Sequence, residues 1–156
     1  MKIRQKFAGL VLTALAGAVA ADSPTIEIRH SIRVQVFGAL EGHGTIISSL
    51  FDSPESYMRE SIISSSVEVD GDGKAYIDMG AHPPGEYAVA VVYDENDNGS
   101  LDTGFLNIPT EKTGFSNNAS ARFGPPKWRK ARFTVVDKDV DVEVYLGRKT
   151  RDDYSD

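Results

Sequence analysis

The amino-acid sequence predicts an all-β fold, an antiparallel β-sandwich of about seven short strands interrupted by one long irregular loop. Segments at both ends of the chain alternate apolar and polar residues with a period of two, the pattern of half-buried strands. A run in the middle, from Tyr87 to Tyr93, is apolar on both faces and predicts a central strand. Beyond residue 20 no segment keeps a helical period over a convincing length.

Taken in order, "TIEIRHSIRVQVFG" puts Ile26, Ile28, Ile32, Val34 and Val36 on one face with His30. Glu27, Arg29, Ser31, Arg33 and Gln35 fall on the other. Glu41 to Gly44, "EGHG", reads as a turn, and "TIISSLFDS" as the second strand. "PESYMRES" fits either a short helix capped by Ser53 or a loop. "SSSVEVDGDGKAYIDM" reads as two strands in a hairpin around Asp70-Gly71-Asp72-Gly73. "AHPPGEY" is a turn into the central strand. From Asp94 to Trp128 periodicity is lost, apart from a short strand expected at "ASARF". Irregular chain of that length inside a compact domain is usually functional or organised by a ligand. "KARFTVV" and "VDVEVYLG", joined by "DKD", are the closing alternating strands.

The first residues have another purpose. Lys2, Arg4 and Lys6 precede an apolar run from Phe7, and Ala18 and Ala20 supply the small residues of a cleavage site. This is the succession of a secretory signal peptide. The expected organisation is a signal peptide at 1–20, a β-sandwich domain at 21–147 and a disordered polar tail at 148–156. An exported protein, periplasmic or secreted, follows. The apolar run falls short of the roughly 20 residues a spanning helix needs, so no stable membrane anchor is expected.

Removing residues 1–20 takes away three cations and no acid, so the formal charge goes from −6 to −9. A chain this acidic has no electrostatic footprint for nucleic acid. The absence of Cys excludes disulfides, cysteine-ligated zinc, thiol catalysis and a lipid-anchored N-terminus. The ligand or protein partner is not named by any of these properties.

Chemistry concentrates in "YDENDNGSLDTGF". Asp94-x-Asn96-x-Asn98-Gly99-Ser100-Leu101-Asp102 has the spacing of a calcium loop. Alternate residues send oxygens to one centre, the glycine permits the bend, and Ser100 would offer its carbonyl. Leu101 is expected to pin the loop to the core. Position twelve of the loop, where a bidentate Glu belongs, is Phe105, and Glu111 would have to supply the missing carboxylate by folding back. Ca2+ held by Asp94, Asn96, Asn98, Ser100, Asp102 and Glu111 is one reading. Metal-free Asx-turns, in which Asp and Asn cap their own backbone, are the other.

The same residues sit inside a longer series of motifs. Pro83-Pro84-Gly85-Glu86-Tyr87, the Asp94–Asp102 loop, Pro109 with Glu111, Gly114-Phe115-Ser116-Asn117 and Phe123-Gly124-Pro125-Pro126 occur in fixed order. In this the chain resembles a bacterial family of small exported proteins known only as a domain of unknown function, DUF2141. Tyr93 stands where the family often has His before the Asp, and Asn107 where it often has Gly. The resemblance implies an exported sandwich of the immunoglobulin-like or transthyretin-like kind, and no activity.

Other candidates are weaker. His30, His43 and His82 show no metal spacing, and Ser116 lacks the strand–turn–helix context of a nucleophile. Trp128, Phe115, Phe123 and Tyr93 would give a carrier an aromatic face for a small ligand or carbohydrate. Arg122, Lys127, Arg129, Lys130 and Arg132 are expected to neutralise the acidic loop within the fold. The leading expectation is a non-enzymatic exported module with a structural calcium-like site. The alternatives are a metal-dependent enzyme using Asp94, Asp102 and Glu111, and the carrier.

Overall fold

The computed structural model describes residues 27–105, 109–121 and 124–147. The segment expected to be a signal peptide, the tail at 148–156, Asn107, Arg122 and Phe123 lie outside the described residues. Eight strands form in chain order: β1 (His30–Phe37), β2 (Thr45–Phe51), β3 (Ile63–Glu68), β4 (Lys74–His82), β5 (Gly85–Asp94), β6 (Thr113–Phe115), β7 (Phe133–Val135) and β8 (Val140–Tyr145). One helical turn, α1 (Trp128–Ala131), precedes β7.

The strands make a β-sandwich, as the alternation predicts. One sheet has the order β4-β1-β8; the other runs β3-β2-β5, with β6 and β7 side by side along the free edge of β5. Ile32, Val34 and Val36 of β1 turn inward against Ile46 and Leu50 of β2 and Val89 and Val91 of β5. Pairing is antiparallel except between β1 and β8, which run parallel with Val34 opposite Val142. On their outward face Arg33 Nε donates to Asp141 Oδ1 at 2.7 Å. Ile28, on the predicted apolar face, lies ahead of the strand and is exposed.

The central strand is apolar on both faces for a specific reason. Its inward residues join the main core, while Ala90 faces a second small cluster with Phe51 and Phe115, covered by Tyr57, Ala119 and Trp128.

Two local expectations are corrected, and one open reading is settled. Asp70–Gly73 closes as a turn, with Asp70 Oδ1 accepting from the backbone of Asp72 (3.0 Å) and Lys74 (2.8 Å). It is nonetheless not a hairpin: β3 pairs with β2, β4 pairs with β1, and the turn carries the chain from one sheet to the other. Both strands present an apolar face to the same core, which they reach from opposite sides. "PESYMRES" begins as a helix would, with Ser53 Oγ accepting from Ser56 N at 3.3 Å, but Met58 at φ 60° ends it as a turn. Residues 119–121 of "ASARF" form no strand.

Tyr57 packs edge-on between Phe51 and Trp128, with ring centroids 5.4 and 5.6 Å away. Its hydroxyl is buried without a partner. Burial pushes the phenol up to about 12. A pKa raised above the unfolded value of 10 leaves stability intact below pH 10 and removes it as the pH rises toward 12. Tyr57→Phe is therefore expected to hold or slightly raise stability at pH 7, by up to about 1 kcal/mol, because it deletes an unpaired buried hydroxyl. It should also lessen the alkaline loss, which Tyr87 and Tyr93 share through their own burial-raised phenols. Melts at pH 7 and pH 11 check this; equal alkaline losses in both proteins would mean that water reaches the Tyr57 hydroxyl.

Candidate functional site

β5 ends on Asp94, and the loop folds around that carboxylate. Asp94 is 1% exposed. Its Oδ1 accepts from Asn98 N at 3.1 Å and its Oδ2 from Gly99 N at 2.7 Å. Amides can converge on one carboxylate only if the chain curls tightly, and Asp97 (φ 57°) and Gly99 (φ 79°) supply the left-handed backbone. Asn96 and Asn98 close the loop from the other side, donating through Nδ2 to Asp102 Oδ2 (2.7 Å) and Oδ1 (2.9 Å). Asn98 Oδ1 in turn accepts from the backbone and hydroxyl of Ser100, at 2.9 and 2.8 Å.

Glu111 arrives by a fold-back. Thr110 N donates to Asp102 O at 2.9 Å, and Thr103 bridges to Pro109. The Glu111 carboxylate then accepts from Glu95 N (3.2 Å) through Oε1 and from Asp102 N (2.9 Å) through Oε2. All six residues singled out by spacing thus meet in one network. As folded, that network is a set of hydrogen bonds. Among the described residues, no three His, Asp or Glu side chains converge closely enough to hold a metal ion.

One apolar residue behaves differently from expectation. Leu101 does not pin the loop: it is 39% exposed, because the hydrogen bonds of Asp94 already anchor the segment. Phe105, at loop position twelve, is also exposed.

Spacing alone missed His43, Thr45 and Asp97. The "EGHG" turn packs against the loop: Tyr93 Oη donates to His43 O at 2.9 Å and accepts from Leu40 N at 3.3 Å. His43 thereby lines an open hollow of about 490 Å³ with Glu95, Asn96, Asp97, Asp102 and Glu111. Asp97 Oδ1 accepts from Thr45 Oγ1 at 2.7 Å and faces a second hollow of about 340 Å³, walled by Ser64, Ser65 and Ser66 of β3. A histidine between two glycines was the available signal: Gly42 takes left-handed backbone in the turn, and Gly44 brings the chain close to the Asp94 backbone.

The other expected groups separate. Tyr93 and Phe115 are buried and Trp128 turns onto Tyr57, so these aromatics do not share an exposed face. Among the described residues, the basic cluster makes no ion pair with the acidic loop. Arg132 pairs with Glu86, while Lys127, Arg129 and Lys130 are exposed and take part in none of the ion pairs among the described residues. His82 Nε2 lies 2.8 Å from Met79 O, and the His30 Nε2 is buried without a hydrogen bond.

Ser116 has a structural place that its motif does not announce. It is 0% exposed. β6 pairs with β5 up to Ala90 and β7 up to Tyr87, which leaves a break in the ladder between them. Ser116 Oγ fills it, accepting from Val89 N at 2.9 Å and donating to Ala131 O at 2.6 Å. Asn117 Nδ2 donates to Arg132 O at 2.7 Å, and Asn118 Oδ1 accepts from Tyr145 N at 3.0 Å.

Residues 34–143 match the model of the family described as "Uncharacterized protein conserved in bacteria (DUF2141)". No curated protein matches the chain. Among solved structures, the major plantain pollen allergen Pla l 1 is 11% identical, with 74% of this chain and 94% of that one covered at a TM-score of 0.28. The pilus-presented adhesin Spy0125 (Cpa) is 14% identical, with 80% of this chain and 28% of that one covered at a TM-score of 0.26. Similarities this distant carry nothing about function. No helix among the described residues is long and apolar enough to cross a membrane.

Proposed function

The chain belongs to the DUF2141 family, and from that premise we propose that it is an exported, non-enzymatic β-sandwich module whose Asp94–Asp102 loop is a structural calcium site closed by Glu111. The observation that carries the reading is the return of Glu111, whose carboxylate reaches the loop that holds Asp94 and Asp102, though the three do not converge as folded. The donors are all oxygen, the chemistry calcium prefers. Asn96 and Asn98 now offer their NH2 groups to Asp102, and a half-turn of each amide would offer an oxygen instead and release the Asp102 carboxylate. For Asn98 that turn also breaks the bonds from Ser100. Calcium must displace a network that is already satisfied, so binding is weak, on the order of 10⁻⁴–10⁻³ M.

The reading is non-enzymatic because the candidate hydroxyls are committed: Ser100 donates to Asn98 Oδ1 within the loop, Ser116 to Ala131 O at the β5 edge and Tyr93 to His43 O at the "EGHG" turn. Export rests on the charged, apolar and small-residue succession of residues 1–20. Intact mass of the protein recovered from the periplasm or medium should place the new N-terminus at Ala21 or one residue later. Full-length protein in the membrane fraction would contradict export.

Calcium is tested by thermal melting. A ligand bound only by the folded state stabilises by RT ln(1 + [L]/Kd). At a Kd of about 0.3 mM, 3 mM calcium adds roughly 1.4 kcal/mol, a rise of about 3–5 °C. Asp102→Ala should remove most of the rise, and Glu111→Gln should reduce it. Asp102 is the better probe than buried Asp94, whose loss would also unfold the loop. Identical melts with calcium and with chelator would leave the loop as a self-capped turn.

A further inference from the structure

We propose that the turn Lys127–Lys130 is a binding site for a compact phosphate-bearing anion. Lys127, Arg129 and Lys130 line a hollow of about 610 Å³ whose other walls include Ser120, Gly124 and Pro125. Three cations within four residues repel one another, and none of the described ion pairs relieves them. Among the described residues, no carboxylate lines the hollow.

The backbone that carries the cations is held firmly. Pro125 and Pro126 fix the backbone ahead of the turn, and Pro126 is buried. Behind it, the bonds from Ser116 Oγ to Ala131 O and from Asn117 Nδ2 to Arg132 O tie the turn to the core. Asn117 adopts left-handed backbone, at φ 56°, where it delivers its bond. A backbone fixed beneath an exposed, uncompensated charge cluster lowers the ordering cost of binding an ion there.

The surroundings select the ligand. Trp128, the aromatic within the turn, packs on Tyr57, which leaves no described ring in the hollow for a base or sugar to stack on. Arg129 offers a planar fork that grips two oxygens, and the lysines act as point charges, the combination suited to phosphate. The formal charge of −6 repels a long polyanion or an anionic bilayer as a whole. A compact anion senses only charges within a Debye length of about 8 Å, and there the cations dominate.

Inorganic pyrophosphate is the probe, titrated calorimetrically at low salt with chelator present so that the acidic loop plays no part. The expected result is saturable binding that weakens as salt rises. In Lys127→Gln/Arg129→Gln/Lys130→Gln it should fall roughly tenfold or more, since each charged hydrogen bond contributes substantially. The anion-free melt should not move, because all three side chains are exposed. A control that removes equal charge elsewhere, Arg59→Gln/Lys74→Gln/Lys138→Gln, should bind nearly as well as the parent protein. An equal loss in that control, or no binding at several millimolar pyrophosphate, overturns the proposal. So does preferential binding to phosphatidylglycerol vesicles, which would assign the turn to a membrane surface.

Discussion

Ser116→Ala is expected to destabilise the protein by about 2–4 kcal/mol, a fall in melting temperature of roughly 10 °C. The hydroxyl sits at the break between β6 and β7 on the edge of β5, fully buried. Removing it strands the Val89 amide and leaves the Ala131 carbonyl with only the longer bond from Asn117 Nδ2 at 3.3 Å. An unpaired polar group in a dry interior costs about 1–3 kcal/mol, and the weakened carbonyl adds to that. Amide exchange at Val89 gives a local readout. It should accelerate in the variant well beyond the global change, because the amide loses its partner while its neighbours keep theirs. A loss below about 0.5 kcal/mol would show that water enters the gap and replaces the hydroxyl.

Gly44→Ala should be at least as damaging. Gly44 has φ 76°, and a Cβ there would lie 2.7 Å from the Asp94 backbone oxygen and 2.8 Å from Tyr93 Cε2. The left-handed backbone costs an L residue about 1–2 kcal/mol. Overpacking against a backbone atom adds about 1–3 kcal/mol, so about 2–5 kcal/mol is expected in all. Gly42 is the internal control, since it has φ 59° but nothing within 4 Å of the added Cβ. Gly42→Ala should show the backbone penalty alone. Denaturant melts of the two variants separate the contact from the conformation. Equal losses would mean that the "EGHG" turn moves away from the acidic loop at little cost.

Much of the candidate site was legible in the chain. The period-two spacing already identified Ile32, Val34 and Val36 as inward residues. The Asp94–Asp102 spacing picked out a loop whose side chains and backbone amides form one hydrogen-bond network, and the fold-back expected of Glu111 does bring its carboxylate to the loop backbone. These are local properties. Side-chain alternation follows from strand geometry, and Asx capping needs only residues two to five apart, so both are written in short windows of sequence.

What the sequence by itself determined is therefore the strands' inward faces, the turn positions and the membership of the acidic loop. Only the tertiary structure decided which strands pair and which polar groups find partners. Asp70–Gly73 has the sequence of a hairpin, yet it links two sheets. β8 lies parallel to β1, with Asp141 bonded to Arg33 across 108 residues. Arg132 finds Glu86, and the three cations before it find nothing among the described residues. Ser116 becomes a buried bridge only because β6 and β7 share one edge of β5 and leave a gap there. Such outcomes depend on how two apolar sheet faces close over a common core, which brings together residues that no short stretch of chain contains.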